Sequence, residues 1–354
     1  MLRLARQMRG FGQAAAADLL GIEQPVLSRI ENGISEFREE LVARAAEQLK
    51  FPHGFFYQNE PIYGAPVSVH EPMFRKKSSV AQKNINAVVA ETNLRIIHLR
   101  RMLEAVDVAS SQDFPRLDVE EYGSPEKIAQ LLRRHWKLPA GPLKNLTLQC
   151  ERAGILIMHS HMDGTSVSGL TMNVPGLQPI IVINRSMPAD RMRFTLAHEL
   201  GHLIMHRFPT PQMEKEADAF ASELLMPVDD IRPAFVGRKI DLKLLGALKP
   251  EWKVSMGSLL MKAKTVGALS TNQATYLWKQ MSARGYRLKE PAGLDFEPEK
   301  ATVLEDLLKV HKDALGYSQE DLLRLFQIHE DDFADFYEGG RRKSVGGAKF
   351  TIVR

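Results

Sequence analysis

The chain has 354 residues, enough for two or three domains with a sizeable core. Hydrophobic residues make up 44% and charged residues 25%, and a net charge of +4 permits nucleic-acid contact without arguing for it. The single cysteine, Cys150, excludes an internal disulfide framework and a Cys-based zinc site, and with no apolar run of roughly 18–20 residues and no signal-like start, a cytoplasmic protein is expected.

Residues 1–50 read as four short helices. "MLRLARQMRG" sets Leu2, Leu4, Ala5 and Met8 at helical spacing. "QAAAADLLGI" forms a second helix, with Gly21 in the tight turn after it. "QPVLSRIENG" forms a third, with Pro25 in its first turn and Gly33 at its end. "SEFREELVARAAEQLKF" forms a fourth, stopped at Pro52. Short helices with a Gly turn between the second and third are the layout of a helix-turn-helix module. A proline-broken aromatic link follows, then one long helix within "FRKKSSVAQKNINAVVAETNLRIIHLRRMLEAV", started at Ser78 or Ser79. At about 78–105 it could pair two chains. "PEKIAQLLRRHWKLP" gives another amphipathic helix.

The period then changes. "GILIMHS", "VSGLTMNV" and "QPIIVIN" suggest a sheet of about three strands. Two helices come next, Asp190–Met205 and about Gln212–Leu225, parted by "HRFPTPQ". The remainder is mainly helical. Near the end, "YSQEDLLRLFQIHEDDFADF" can be laid on "FGQAAAADLLGIEQPVLSRI" at an offset of 306, although two helices of similar size give the same echo. The tail "GGRRKSVGGAKFTIVR" is basic and reads as solvated. Cys150 reads as a small buried residue, with a thiolate blocking a metal as its alternative, and Trp136 and Trp252 as packing anchors.

The chemistry concentrates in "FTLAHELGHLIMH". His198 and His202 stand at i and i+4, on one helix face, where two imidazoles can bind one Zn²⁺. Glu199 is turned aside and can serve as the general base toward water at the metal. A catalytic zinc usually takes three protein ligands. His206, Glu214 and Glu216 are the candidates. A continuous helix would put His206 about 12 Å along the axis from His198, too far to share an ion. Glu214 and Asp218 continue the apolar face of Ala217, Phe220, Ala221 and Leu224, and an acid on a buried face needs a partner. Zinc would supply one for Glu214. Asp218 could accept from a zinc-bound histidine. Glu216 reads as surface, and His206 as structural, with an oxyanion role as its alternative.

"RFTLAHELGHLIMH" followed by "EKEADAFASELLMP" resembles the ImmA/IrrE metallopeptidases, over roughly residues 125–265. The resemblance implies His198, His202 and Glu214 as zinc ligands, Glu199 as catalytic base and Asp218 as support. Residues 1–50, notably "LSRIENG", resemble an XRE-type (Cro-like) helix-turn-helix domain. The expected fold is α+β and mostly helical. It comprises an XRE-type domain (1–63), a helical connector (64–124), a zincin-like peptidase domain with a small sheet (125–265), a C-terminal helical region (266–338) and the basic tail (339–354). The implied function is cleavage of a repressor, itself usually of XRE type, which releases stress or mobile-element genes. The alternative is a DNA-binding regulator whose peptidase-like domain is a sensor or a structural zinc site.

For the first domain two readings stand. Gln24, Ser28 and Arg29 would face the major groove, with Gln13 near a phosphate. Yet residues 1–50 hold seven basic residues (3, 6, 9, 29, 38, 44, 50) and seven acidic ones (18, 23, 31, 36, 39, 40, 47), so little phosphate affinity is available. Recognition of another protein is the second reading, as is packing within a homodimer.

Overall fold

The computed structural model describes residues 1–63, 68–70, 80–108, 110–162 and 167–338. Ser78, Ser79 and the basic tail lie outside these residues. The first four helices are α1 (Leu2–Met8), α2 (Gln13–Leu20), α3 (Gln24–Glu31) and α4 (Glu39–Leu49). Gly21 ends α2 in the left-handed region, at φ 63° and ψ 37°, where a residue without Cβ is at ease. Pro25 sits in the first turn of α3, where no amide hydrogen is missed. Ala16, Ala17, Leu20, Leu27, Val42 and Ala45 close this small bundle, and Arg44 bonds the Leu20 carbonyl at 2.6 Å.

Helix α5 (Val80–Leu103) is the mast of the molecule. It lies against α1 on one side and against C-terminal helices on another. Thr92, Asn93, Arg95 and His98 are buried on it although they are polar. Asn93 bonds the main chain of Tyr63, Arg95 the carbonyl of His159, and His98 the hydroxyl of Tyr337. The chain's own segments thus cover much of the described length of this helix.

Helices α6 (Val119–Tyr122), α7 (Pro125–His135) and α8 (Leu146–Arg152) lead into the sheet. Its strands are β1 (Ser68–His70), β2 (Leu156–Ser160), β3 (Gly169–Met172) and β4 (Ile180–Asn184), in the order β1–β3–β4–β2. Strands β2 and β4 run parallel, while β3 is antiparallel to both β4 and β1. The sheet thus has one strand more than expected, contributed by the connector. Side chains alternate across it. Ile157, Ile181 and Ile183 enter the core around helix α9 (Ala189–Met205), and Leu156, Met158, Ile180 and Val182 enter the core around α5. Coverage on both faces explains why these strands are apolar throughout.

After α9 come α10 (Met213–Leu225), α11 (Val228–Phe235), α12 (Leu242–Trp252), α13 (Met256–Thr265) and α14 (Thr271–Ala283). The run from Asp241 onward, which reads as continuously helical, breaks between α12 and α13 at Lys253, held at φ 53°. Trp136 and Trp252 are buried. So is Cys150, and burial pushes its thiol pKa up, which leaves it protonated and apolar rather than a metal ligand.

The chain ends in α15 (Val303–Asp313), α16 (Gln319–Phe326) and α17 (Glu330–Tyr337). The last two repeat the layout of α2 and α3 at the offset of 306, with both helix starts and both helix ends in register. Gln327, at φ 55° and ψ 47°, stands where Gly21 stands. Arg9 joins the two units through a bidentate pair with Asp332 at 2.6 and 2.7 Å. Where α3 carries Gln24, Ser28 and Arg29, α17 carries Glu330, Ala334 and Asp335.

Candidate metal centre

Helix α9 is apolar on nearly every side, so it is buried along most of its length. Its N-terminal half is bolted down by charge. Lys249 reaches Asp190 at 2.7 Å and Glu290 at 2.8 Å, and Arg193 pairs with Glu299. Two glycines let other elements come close. A Cβ at Gly169 in β3 would lie 2.7 Å from Thr195 Cγ2 of α9. A Cβ at Gly201 would lie 3.0 Å from the Phe220 ring and 3.3 Å from Ala217 Cα of α10. The glycine inside "HELGH" thus sets the spacing between the two helices.

His198 and His202 are fully buried. Their Nε2 atoms stand 3.0 Å apart. Glu214, from the first turn of α10, brings Oε2 to 3.4 Å from the His198 Nε2 and Oε1 to 3.4 Å from the His202 Nε2. A tetrahedral ion with ligands at about 2.0–2.1 Å spaces its donors by about 3.3 Å. The three donors therefore fit one small ion and form a group that could hold a metal.

The outer partners fix the protons. Asp218 Oδ1 can only accept, so the His198 Nδ1 at 2.9 Å carries the hydrogen. Glu216 Oε2 likewise accepts from His206 Nε2 at 3.0 Å. Burial lowers the pKa of His206 and favours its neutral ring. Its Nδ1 is then the acceptor for His202 Nδ1–H, 2.9 Å away. Both Nε2 atoms consequently face the Glu214 carboxylate. Burial opposes charge on His198, yet hydrogen bonds to Asp218 and Glu214 outweigh it and lift its pKa to about 9. The surroundings favour a positive charge there, from a proton or a metal ion.

Glu199 is fully buried beside this group and accepts a 2.6 Å bond from the Thr171 hydroxyl of β3. Sequence reasoning passed over Thr171. Its signal is the alternation in "GLTM", which puts Gly169 and Thr171 on the face toward α9.

Two expectations are corrected. Glu214 and Asp218 do not sit on a buried face: their side chains are 51% and 48% exposed, because the first turn of α10 forms the rim of the site. Glu216 is not merely surface, since it holds His206. The structural reading of His206 gains a specific form: it links His202 to Glu216. Helix α9 stops at Met205, His206 turns to an extended φ of −110°, and its ring backs His202 on the side away from the Nε2 atoms.

The N-terminal residues are placed differently. Gln24 donates to Gln13 at 2.9 Å, and Gln13 donates to Glu31 at 3.0 Å. Burial raises the Glu31 carboxyl pKa, but hydrogen bonds from Arg6 and Gln13 outweigh it and lower the value. Gln24 and Arg29 are exposed, while Gln13 and Ser28 are half-buried. Gln13 and Gln24 thus meet at the starts of α2 and α3, whereas Arg29 stands apart toward the end of α3.

Comparison with known proteins follows this division. Residues 150–264 match the family model of the IrrE N-terminal-like domain, and residues 1–54 match that of a helix-turn-helix domain. The chain thus joins a stretch similar to the IrrE N-terminal-like peptidase domain to one similar to a helix-turn-helix domain. No curated protein matches it. The IrrE-like stretch contains β2, β3, β4, α9 and α10, and with them His198, Glu199, His202, Glu214 and Asp218. Among the described residues no helix is long and apolar enough to cross a membrane.

Proposed function

We propose that this chain is an ImmA/IrrE-type zinc-dependent endopeptidase that cleaves a repressor of XRE type and so derepresses stress or mobile-element genes. The observation that carries the reading is the convergence of two imidazole nitrogens and a carboxylate beside a buried glutamate. His198, His202 and Glu214 would hold the zinc. The ion would supply a Lewis acid that polarises a peptide carbonyl and eases deprotonation of water. Glu199 takes the proton from the attacking water and delivers it to the leaving amine. Thr171, donating to Glu199 Oε2, fixes the carboxylate so that its other oxygen can work. Asp218 and the His206–Glu216 pair hold the two histidines in the tautomer the role requires.

The helix-turn-helix domain would position the enzyme. Gln24 and Arg29 can reach base edges, and Gln13 and Ser28 support them. With no net charge in residues 1–50, few phosphates can be neutralised, so DNA affinity should be low and only weakly salt-dependent. The test of the reading is to add wild type or Glu199→Gln protein to a cell extract and map new protein N-termini. A cut in a helix-turn-helix repressor, made by wild type alone, supports the reading. Equal cutting by the variant would refute the assigned chemistry.

A further inference from the structure

A peptidase whose site lies beside a sheet can take its substrate as an added strand, paired through the main chain. The structure identifies the edge concerned. Strand β3 runs along the catalytic helix: Thr171 bonds Glu199, and Gly169 lies against Thr195 of α9. One side of β3 is taken by β4. The other side is also taken, by the chain's own connector. Ser68 stands opposite Thr171, Val69 opposite Leu170 and His70 opposite Gly169, antiparallel. Strand β1 also lies against α9. The residue whose hydroxyl holds Glu199 thus has a connector residue as its ladder neighbour.

We propose that the edge of β3 covered by Ser68–His70 is the seat of the substrate strand and that this connector strand occupies it as an internal competitor. The proposal rests on the peptidase reading. Three features favour an occupant that can leave over a permanent member of the sheet. The ladder is only three residue pairs long, against five between β2 and β4. The strand belongs to the connector outside the IrrE-like stretch, which supplies the other three strands by itself. In the sequence Pro66 and Pro72 stand on either side of it, and a proline has no amide hydrogen to lend to a ladder. A partner of the right chemistry is an extended segment with β-forming residues, free of proline over the paired stretch, that can bond β3 through its main chain. The connector would screen such segments: only one that outcompetes a tethered strand gains the site.

The test uses a fluorescein-labelled peptide of residues 64–73, GAPVSVHEPM, titrated by fluorescence anisotropy. The full-length proteins are Glu199→Gln, which cannot consume the probe, and the same chain with Ser68→Pro and Val69→Pro. A tethered strand competes at an effective concentration on the order of mM, so removing it should tighten peptide binding about tenfold or more. A second variant, Ser68→Gly with Val69→Gly, weakens the strand while leaving every amide in place, and it decides the matter if the proline chain loses its helical circular dichroism. It should fall between the other two. Equal affinity of the competitor-weakened and parent chains, or no binding to any of them, overturns the proposal. Because binding is read without turnover, this failure is separate from a failure of the peptidase reading, which would show as absence of cleavage by wild type.

Discussion

Gly201→Ala separates the stability of the fold from the geometry of the site. The new methyl would lie 3.0 Å from Phe220 Cδ1 and 3.3 Å from Ala217 Cα. Carbon atoms rest at about 3.5–4.0 Å, so α10 must retreat by about 0.5 Å. Such overpacking costs about 1–3 kcal/mol. Alanine in a helix interior returns about 1 kcal/mol relative to glycine. The net loss is about 0–2 kcal/mol, a small change in melting temperature for a chain of this size. The site has no such compensation. Glu214 is three residues before Ala217 on the helix that moves. Metal sites tolerate about 0.2 Å in ligand distance. Zinc affinity should therefore fall about tenfold or more while the protein stays folded. Competition with a chromogenic chelator, run beside a thermal melt, reads both quantities. An unchanged zinc affinity would show that Gly201 does not set the α9–α10 spacing that the metal needs.

Further outcomes follow from the same contacts. Glu216→Ala frees His206 and with it the tautomer of His202, so zinc affinity should drop about 10–100-fold with little change in melting temperature, as measured by chelator competition. Equal affinity would make the His206–Glu216 pair incidental. Lys249→Met leaves Asp190 and Glu290 without their shared cation and should cost about 3–5 kcal/mol in a urea melt. A loss below about 1 kcal/mol would contradict the bolting of α9. Burial, with Asp306 and Glu151 nearby, pushes Glu305 up to about 7 from an ordinary 4.5. The folded chain holds this proton more tightly than the unfolded chain, so the stability it contributes is present below about pH 4.5 and is lost as the pH rises to about 7. Glu305→Gln should flatten the fall in melting temperature across that window, and an unaltered slope would sink the assignment.

The histidine pair was legible in the sequence because it depends on local spacing. His198 and His202 share a face by helix geometry alone, whereas Glu214 was reached from a buried face that it does not occupy, since it stands at the rim in the first turn of α10. The supports were not legible, because they depend on where elements stop and meet. His206 can back His202 only because α9 ends one residue earlier. Thr171 reaches Glu199 only because Gly169 lets β3 lie close on α9. The same holds for α5, whose buried Asn93, Arg95 and His98 are bonded by Tyr63, His159 and Tyr337 from distant segments. Strand β1 had no local signal: three residues between prolines form a strand only when an edge is waiting for them. The echo at the chain's end was visible, but what distinguishes it from two helices of similar size is the left-handed residue, Gly21 in one unit and Gln327 in the other.

The most direct measurement is the zinc content of the purified chain and of Glu214→Ala, by elemental analysis, with circular dichroism to show that both are folded. One zinc per wild-type chain, lost in the variant, is the result that the His198–His202–Glu214 group predicts. A folded wild type that takes up no zinc when it is supplied, or a variant that keeps its zinc in full, would contradict it.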